Sequence, residues 1–337
     1  MNYQGPEPSS DQPECTGVLL TNLGTPDAPT TTDVRRYLKE FLSDPRVVEI
    51  PRLIWWLVLN GVILRTRPSK SAAAYKQVWT ENGSPLLDIS KRQADALNER
   101  LQQKSGTPIK VVLAMRYGNP SIAAGLEALR EANARKIIVL PLYPQYSATT
   151  TASTFDAVSE VLRKWRWIPE LRFINHYQDD PGYIASLAKS VREFWQTHGE
   201  PDRLLISFHG IPREYADAGD PYPKECNTTA RLLTEALGIA DDRCTTTFQS
   251  RLGGKEWLKP YTDETLKNWG AEGTGKVHVI CPGFSADCLE TIEEIGEENR
   301  DYFIQAGGGE YRYIPSLNDR EDHIEALADL VMSHSWR

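Results

Sequence analysis

The sequence predicts an α/β protein of two similar Rossmann-like domains, each a parallel four-stranded sheet flanked by helices. Three observations predict it. Short β-branched or aliphatic runs recur, amphipathic stretches of helical period separate them, and 337 residues exceed a usual domain of roughly 100 to 200 residues. Such alternation favours parallel sheets, because parallel neighbours need a long crossover and a helix supplies it.

The first dozen residues are rich in Pro, Ser, Glu and Asp and lack the basic start and apolar run of a signal peptide, so 1–14 reads as a flexible tail. The first domain is taken as 15–172. Its strand candidates are Val18 to Leu23, Ile109 to Ala114, Ile137 to Leu142 and Leu171 to Asn175, with helical periods over Val34 to Leu42, Leu87 to Leu101, Ala123 to Leu129 and Phe155 to Leu162. Within it Leu53 to Leu64, containing Trp55 and Trp56, is strongly apolar but far short of the ~20 residues of a membrane helix. It reads as a buried or lip-forming helix, with bilayer contact as the second reading. The second domain, 173–337, has strand candidates Leu204 to Phe208, Thr245 to Phe248, Val277 to Cys281 and Tyr311 to Ile314. Its final helix, Ile324 to Met332, is placed to pack across the border near 172.

Composition excludes several classes. A hydrophobic fraction of 40% argues against disorder, and a net charge of −8 against nucleic-acid binding, which needs clustered Lys and Arg. The five cysteines form no Cys-x-x-Cys pair, which fits a reducing cytoplasm and disfavours a cysteine-bound cluster. Neither standard nucleotide cradle occurs; Asn22-Leu23-Gly24-Thr25-Pro26 stands where a glycine-rich turn would follow the first strand. Gly307 to Gly309 falls between a helix and a strand and reads as a stop signal.

In open parallel sheets, ligands bind beyond the carboxyl ends of the strands. Ser207-Phe208-His209-Gly210-Ile211-Pro212 puts a histidine where a buried strand breaks. A lone histidine usually serves its own turn, but this placement favours a working role. The other five, His176, His198, His278, His323 and His334, take structural readings, with His198, His323 and His334 on or near helix surfaces. After Cys281-Pro282-Gly283-Phe284 come Glu290, Glu293, Glu294, Glu297 and Glu298, which at about 100° per residue share an arc of roughly 140° on a helix. Such a run is commonly a solvated face. Like charges at i,i+4 repel, however, and only Arg300 lies near enough to offset them, so a cation would relieve the strain. Carboxylates with one imidazole suit a loosely held divalent metal. Trp257, Phe284, Tyr143, Tyr146, Arg65, Arg67 and Lys70 are of the types that stack on a flat ring and pair with its carboxylates.

The motifs Leu20 to Pro26, Leu140 to Ser147, Ser207 to Pro212, Asp220 to Pro223, Phe248 to Arg251 and Gly283 to Thr291 occur in one order, and with them the chain resembles the ferrochelatases from about Gly17 to its end. The resemblance implies insertion of Fe2+ into protoporphyrin IX to form protohaem, without ATP, by a lyase of haem biosynthesis. It implies two Rossmann-like domains with the porphyrin in the cleft between them and a lip at 50–70. His209 and Glu290 match the pair serving metal binding and proton removal, and Glu294 and Glu298 match the acidic ladder behind it. Leu23, Tyr143, Trp257 and Phe284 match porphyrin-contacting positions, and Arg65 lies on the lip.

Two positions depart from the family. Cys288 stands where several members carry His, and Ala148 where some carry a cluster-binding cysteine. With no cysteine-rich tail before Arg337, no iron–sulfur cluster and no other required cofactor is expected. Expected partners are protoporphyrin IX and ferrous iron, with peripheral contact at the inner membrane surface of the cytoplasm; no oligomeric state is specified. The rival readings are a cobalt or nickel chelatase of another tetrapyrrole, and a non-catalytic haem or porphyrin carrier.

Overall fold

The computed structural model describes residues 3, 13–251 and 253–336. Apart from Tyr3, Pro13 and Glu14, the tail expected over 1–14 lies outside the described residues. The chain divides into two compact units, Met1–Leu142 with Ser147–Asn175 and Ile324–Arg337, and Tyr143–Tyr146 with His176–His323.

The first unit is built on strands β1 (Cys15–Thr25), β2 (Ile109–Gly118), β3 (Ala134–Pro141) and β4 (Glu170–Phe173), in the order β2-β1-β3-β4 and all parallel. The central strand is apolar on both faces, with Val18, Leu19 and Leu20 fully buried, as helices on either side of a parallel sheet require. Gly24 ends this strand's apolar run at φ +112°, and a Cβ there would lie 1.8 Å from the Tyr117 carbonyl oxygen. Only glycine allows the two strand ends to run so close.

The lip segment is one continuous helical run. Arg52–Val58 is α-helical, Leu59–Ile63 is a π-helical turn, and Leu64–Val78 is α-helical again. Trp55, Leu59 and Leu64 are buried against Leu42, while Leu53, Ile54, Trp56, Leu57, Val58 and Val62 face outward, Leu53 at 75% exposure. Among the described residues no helix is long and apolar enough to cross a membrane.

The second unit repeats the plan with β5 (Arg203–His209), β6 (Cys244–Gln249), β7 (Lys276–Ile280) and β8 (Glu310–Ile314), in the order β6-β5-β7-β8 and again all parallel. Its core gathers Leu205, Leu266, Val277, Val279, Ile295 and Phe303. Burial of each such side chain contributes on the order of 2 kcal/mol. The turn Gly307 to Gly309 lies between the helix Asn299–Gln305 and β8.

The division differs from the 15–172 and 173–337 read from the sequence. The first unit runs to Asn175, and the residues from Ile324 onward belong to it. Ion pairs draw the final helix there: Lys104 with Glu325 and Asp329, and Arg100 with Glu325. Arg172 then donates to the His334 carbonyl at 2.6 Å and lies 4.5 Å from the Trp336 ring centre. Tyr143–Tyr146 groups with the second unit, where the Tyr146 amide donates to Glu225 at 2.7 Å and Gln145 Nε2 to Thr229 at 2.9 Å. His323, expected near a helix surface, is fully buried.

Candidate active site

His209 is the last residue of β5 and is half-buried. Its Nδ1 lies 2.7 Å from the Gly210 carbonyl oxygen. A carbonyl only accepts, so Nδ1 carries the proton of the neutral ring and Nε2 keeps its lone pair. The turn that allows this depends on Gly210: a Cβ there would approach the Gln249 carbonyl oxygen to 2.9 Å and Trp257 to 3.1 Å. Trp257 is held alongside by backbone bridging to Pro212, and the Phe284 ring centre lies 6.5 Å from that of His209. The histidine and these two aromatic residues therefore share one corner of the second unit.

The loop leading to the acidic helix is tightly held. Asp287, nearly buried, accepts from Thr291 Oγ1 at 3.0 Å, Tyr313 OH at 2.7 Å and Asn318 Nδ2 at 2.8 Å. The Pro282 carbonyl accepts from Tyr183 OH at 2.6 Å. Asp287 thus fixes where the helix begins.

That helix is not α-helical as the 100° reading assumed. Glu290–Glu298 is a π-helix, continuing as α-helix over Asn299–Gln305. Its terminal bond runs from the Asn299 amide to the Glu294 carbonyl, five residues back, and Asn299 Nδ2 donates to the same oxygen at 2.8 Å. A wider turn of this kind is unfavourable by itself and is frequent at working sites. Arg300, read as the offset to the glutamates, pairs with Asp301 at 2.9 Å.

The glutamates differ in setting. Glu290, Glu293 and Glu294 are half-buried, whereas Glu297 and Glu298 are exposed. Gln249 Nε2 donates to the Glu290 carbonyl at 3.3 Å and to the Glu294 carboxylate at 3.4 Å, and Ser250 Oγ donates to Glu294 as well. Burial, with Glu290 adding its charge, pushes the Glu294 carboxyl up to about 7 against the pull of those hydrogen bonds. Burial and the neighbouring glutamates also raise Glu293. Glu298 accepts from Tyr302 OH, which pushes that phenol up to about 12. The ladder therefore runs from a half-buried carboxylate at Glu290, through one that holds its proton to neutrality, to one at the surface.

Gln249 and Ser250 are the residues that the sequence reading did not assign. Both fall in the motif Phe248 to Arg251 at the end of β6, and that strand end was the available signal. Gln249 is buried and also accepts from Ser207 at 2.8 Å, so it ties β5, β6 and the acidic helix together. Cys288 is buried, and burial with the nearby Glu290 holds its thiol protonated. Among the described residues no three His, Cys, Asp or Glu side chains converge into a group that could hold a metal ion. Tyr143 is half-buried in the second unit, and Leu23 and Arg65 belong to the first, Leu23 half-buried on β1 and Arg65 exposed on the lip.

The family model for ferrochelatase matches residues 15–335. A ferrochelatase of Thioalkalivibrio sulfidiphilus is 62% identical over 320 residues, covering 95% of this chain and 87% of that one. One from Teredinibacter turnerae is 56% identical over 334 residues, covering 99% and 91%. Among solved structures, SirB from Bacillus subtilis with Fe3+ superposes with a TM-score of 0.55 at 13% identity over 95% of each chain, a likeness of fold.

Proposed function

The chain belongs to the ferrochelatase family, and on that premise we propose that His209 takes a pyrrole proton through Nε2 while Glu290 meets the incoming iron. The enzyme is a ferrochelatase, a lyase that inserts iron into a porphyrin in haem biosynthesis. Ferrous iron and protoporphyrin IX are its proposed substrates, ahead of another metal or tetrapyrrole.

Two N–H protons must leave the macrocycle, and in a flat ring the nitrogen lone pairs lie in the plane, hidden from an approaching ion. Bending the ring against the protein turns one lone pair toward the metal and one N–H toward a base. The observation that carries the reading is the bond from His209 Nδ1 to the Gly210 carbonyl, which leaves Nε2 as the acceptor. Phe284 and Trp257 beside His209 offer the ring an apolar surface. With Leu23 and Tyr143 they are the proposed porphyrin contacts, and Arg65 pairs with a propionate.

Glu290 supplies the carboxylate contact to the iron, leaving its other positions to water and pyrrole nitrogens, because the one free lone pair of His209, on Nε2, is taken up by the pyrrole proton. Glu294 and Glu298 pass the released protons outward; a carboxyl that titrates near 7 gains and loses a proton at little cost at neutral pH. The reaction so written needs no cofactor and no iron–sulfur cluster. The outward apolar face of the lip, with Arg65, Arg67 and Lys70 close by in sequence, supports peripheral contact with the inner membrane surface from the cytoplasm.

The test is insertion itself. Purified protein given Fe2+ under reducing conditions is expected to shift the absorption spectrum of protoporphyrin IX, and to act on it faster than on coproporphyrin. No shift with either porphyrin would overturn the reading.

A further inference from the structure

At the root of the lip lies a buried carboxylate that the reaction does not use. Asp44 closes the helix Thr31–Ser43 and is 6% exposed. One oxygen accepts from Tyr117 OH at 2.9 Å, Ser153 Oγ at 2.6 Å and the Arg116 guanidinium. The other accepts the Arg46 amide at 2.8 Å. Tyr117 and Ser153 are themselves buried, and Arg116 bonds the Ser153 carbonyl at 2.9 Å while lying over the Tyr117 ring at 4.5 Å. These bonds hold Asp44 ionised, its carboxyl below the usual range despite the opposing effect of burial.

Asp44 therefore joins three chain segments of the first unit: the end of the helix Thr31–Ser43, the end of β2, and the start of the helix Ser153–Leu162. The lip rests on the first of these. Trp55 Nε1 donates to the Leu42 carbonyl at 2.6 Å, Arg52 donates to the Ser43 carbonyl at 2.6 Å, and Trp55, Leu59 and Leu64 pack on Leu42. Without Asp44, a stretch that already contains a π-helical turn at Leu59–Ile63 would stand on a helix end tied to β2 through weaker contacts, the Phe41–Tyr117 ring edge and the Glu40 bond to the Gly118 amide.

We propose that Asp44, held by Arg116, Tyr117 and Ser153, is a positioning residue that fixes the lip for porphyrin capture. The claim rests on the reading of the lip as a porphyrin-contacting element. It assigns Arg116, at the end of a sheet strand where a ligand-binding residue would be sought, to a buried ion pair instead.

The experiment compares the full chain with Asp44→Asn, and with Tyr117→Phe and Ser153→Ala, which each remove one bond and keep the ion pair should Asp44→Asn fail to fold. Leu129→Ala, in the core beneath the same sheet, serves as a control for destabilisation alone. The first readout is tryptic cleavage within the lip, at Arg65 and Lys70; the second is KM for porphyrin against KM for metal. Asp44→Asn is expected to raise both lip cleavage and porphyrin KM about tenfold, the scale of one charged hydrogen bond, with metal KM and kcat within about twofold. Tyr117→Phe and Ser153→Ala should show smaller rises, and Leu129→Ala none that is selective. Unchanged cleavage, or an equal effect in Leu129→Ala, would overturn the clamp. Raised cleavage with an unmoved porphyrin KM would leave the clamp standing and remove the lip from porphyrin capture.

Discussion

Replacing Glu294 with Gln should stabilise the protein and disable it together. The Glu294 carboxyl ordinarily titrates at 4.5 and here holds its proton to about 7, chiefly through burial. Because the folded-state value is raised, the fold suffers no penalty below pH 4.5 and loses stability as pH rises through 7. At 1.36 kcal/mol per tenfold, the full loss is about 3 kcal/mol, of which roughly 2 kcal/mol accrues between pH 5 and pH 8. Gln has no charge to bury and keeps an oxygen to accept from Ser250. Urea unfolding of both proteins at the two pH values is the assay. The advantage of Glu294→Gln should grow by roughly 2 kcal/mol from pH 5 to pH 8, while turnover falls about 100-fold, as loss of a proton carrier would cause. A stability difference independent of pH would refute the buried charge. A pH-dependent gain with normal turnover would refute the relay.

Acid should weaken the fold through histidine. His278 is fully buried on β7, neither ring nitrogen has a hydrogen-bond partner among the described residues, and burial lowers it to about 4. With the folded-state value depressed, stability is present above about pH 6.5 and is lost as pH falls toward 4. His278→Leu should remove roughly 2 kcal/mol of the loss between pH 7 and pH 5, read from unfolding curves at both. Removing Trp336 should cost the first unit about 1–2 kcal/mol, since its ring lies 4.5 Å from the Arg172 guanidinium and 5.6 Å from the Lys136 ammonium; thermal melting of the chain ended at Ser335 checks this.

Much of the fold was legible because buried parallel strands are written as continuous apolar runs. Val18 to Leu20, Ile137 to Leu140 and Leu204 to Phe208 announce the centres of both sheets, and each lies where it was read. His209 was legible for a related reason, as a polar residue at the point where such a run breaks. Less legible were features set by partners distant in sequence. Nothing in Glu290 to Glu298 distinguishes a π-helix from an α-helix, since the difference arises from Asn299 doubling on the Glu294 carbonyl and from Asp287 fixing the start. The final helix has the pattern of either unit; its attachment depends on Lys104 and Arg100, more than 200 positions earlier. Gln249 and Ser250 carry no periodic signal at all. Their roles come from β6 lying beside β5, which brings the strand end to Glu294.

The proton acceptor is tested most directly by His209→Ala, measured as the rate of metal insertion into protoporphyrin alongside porphyrin binding by quenching of tryptophan fluorescence. If Nε2 takes the pyrrole proton, turnover should fall by about 10²- to 10⁴-fold with binding changed by little. Near-normal turnover in His209→Ala would contradict the account.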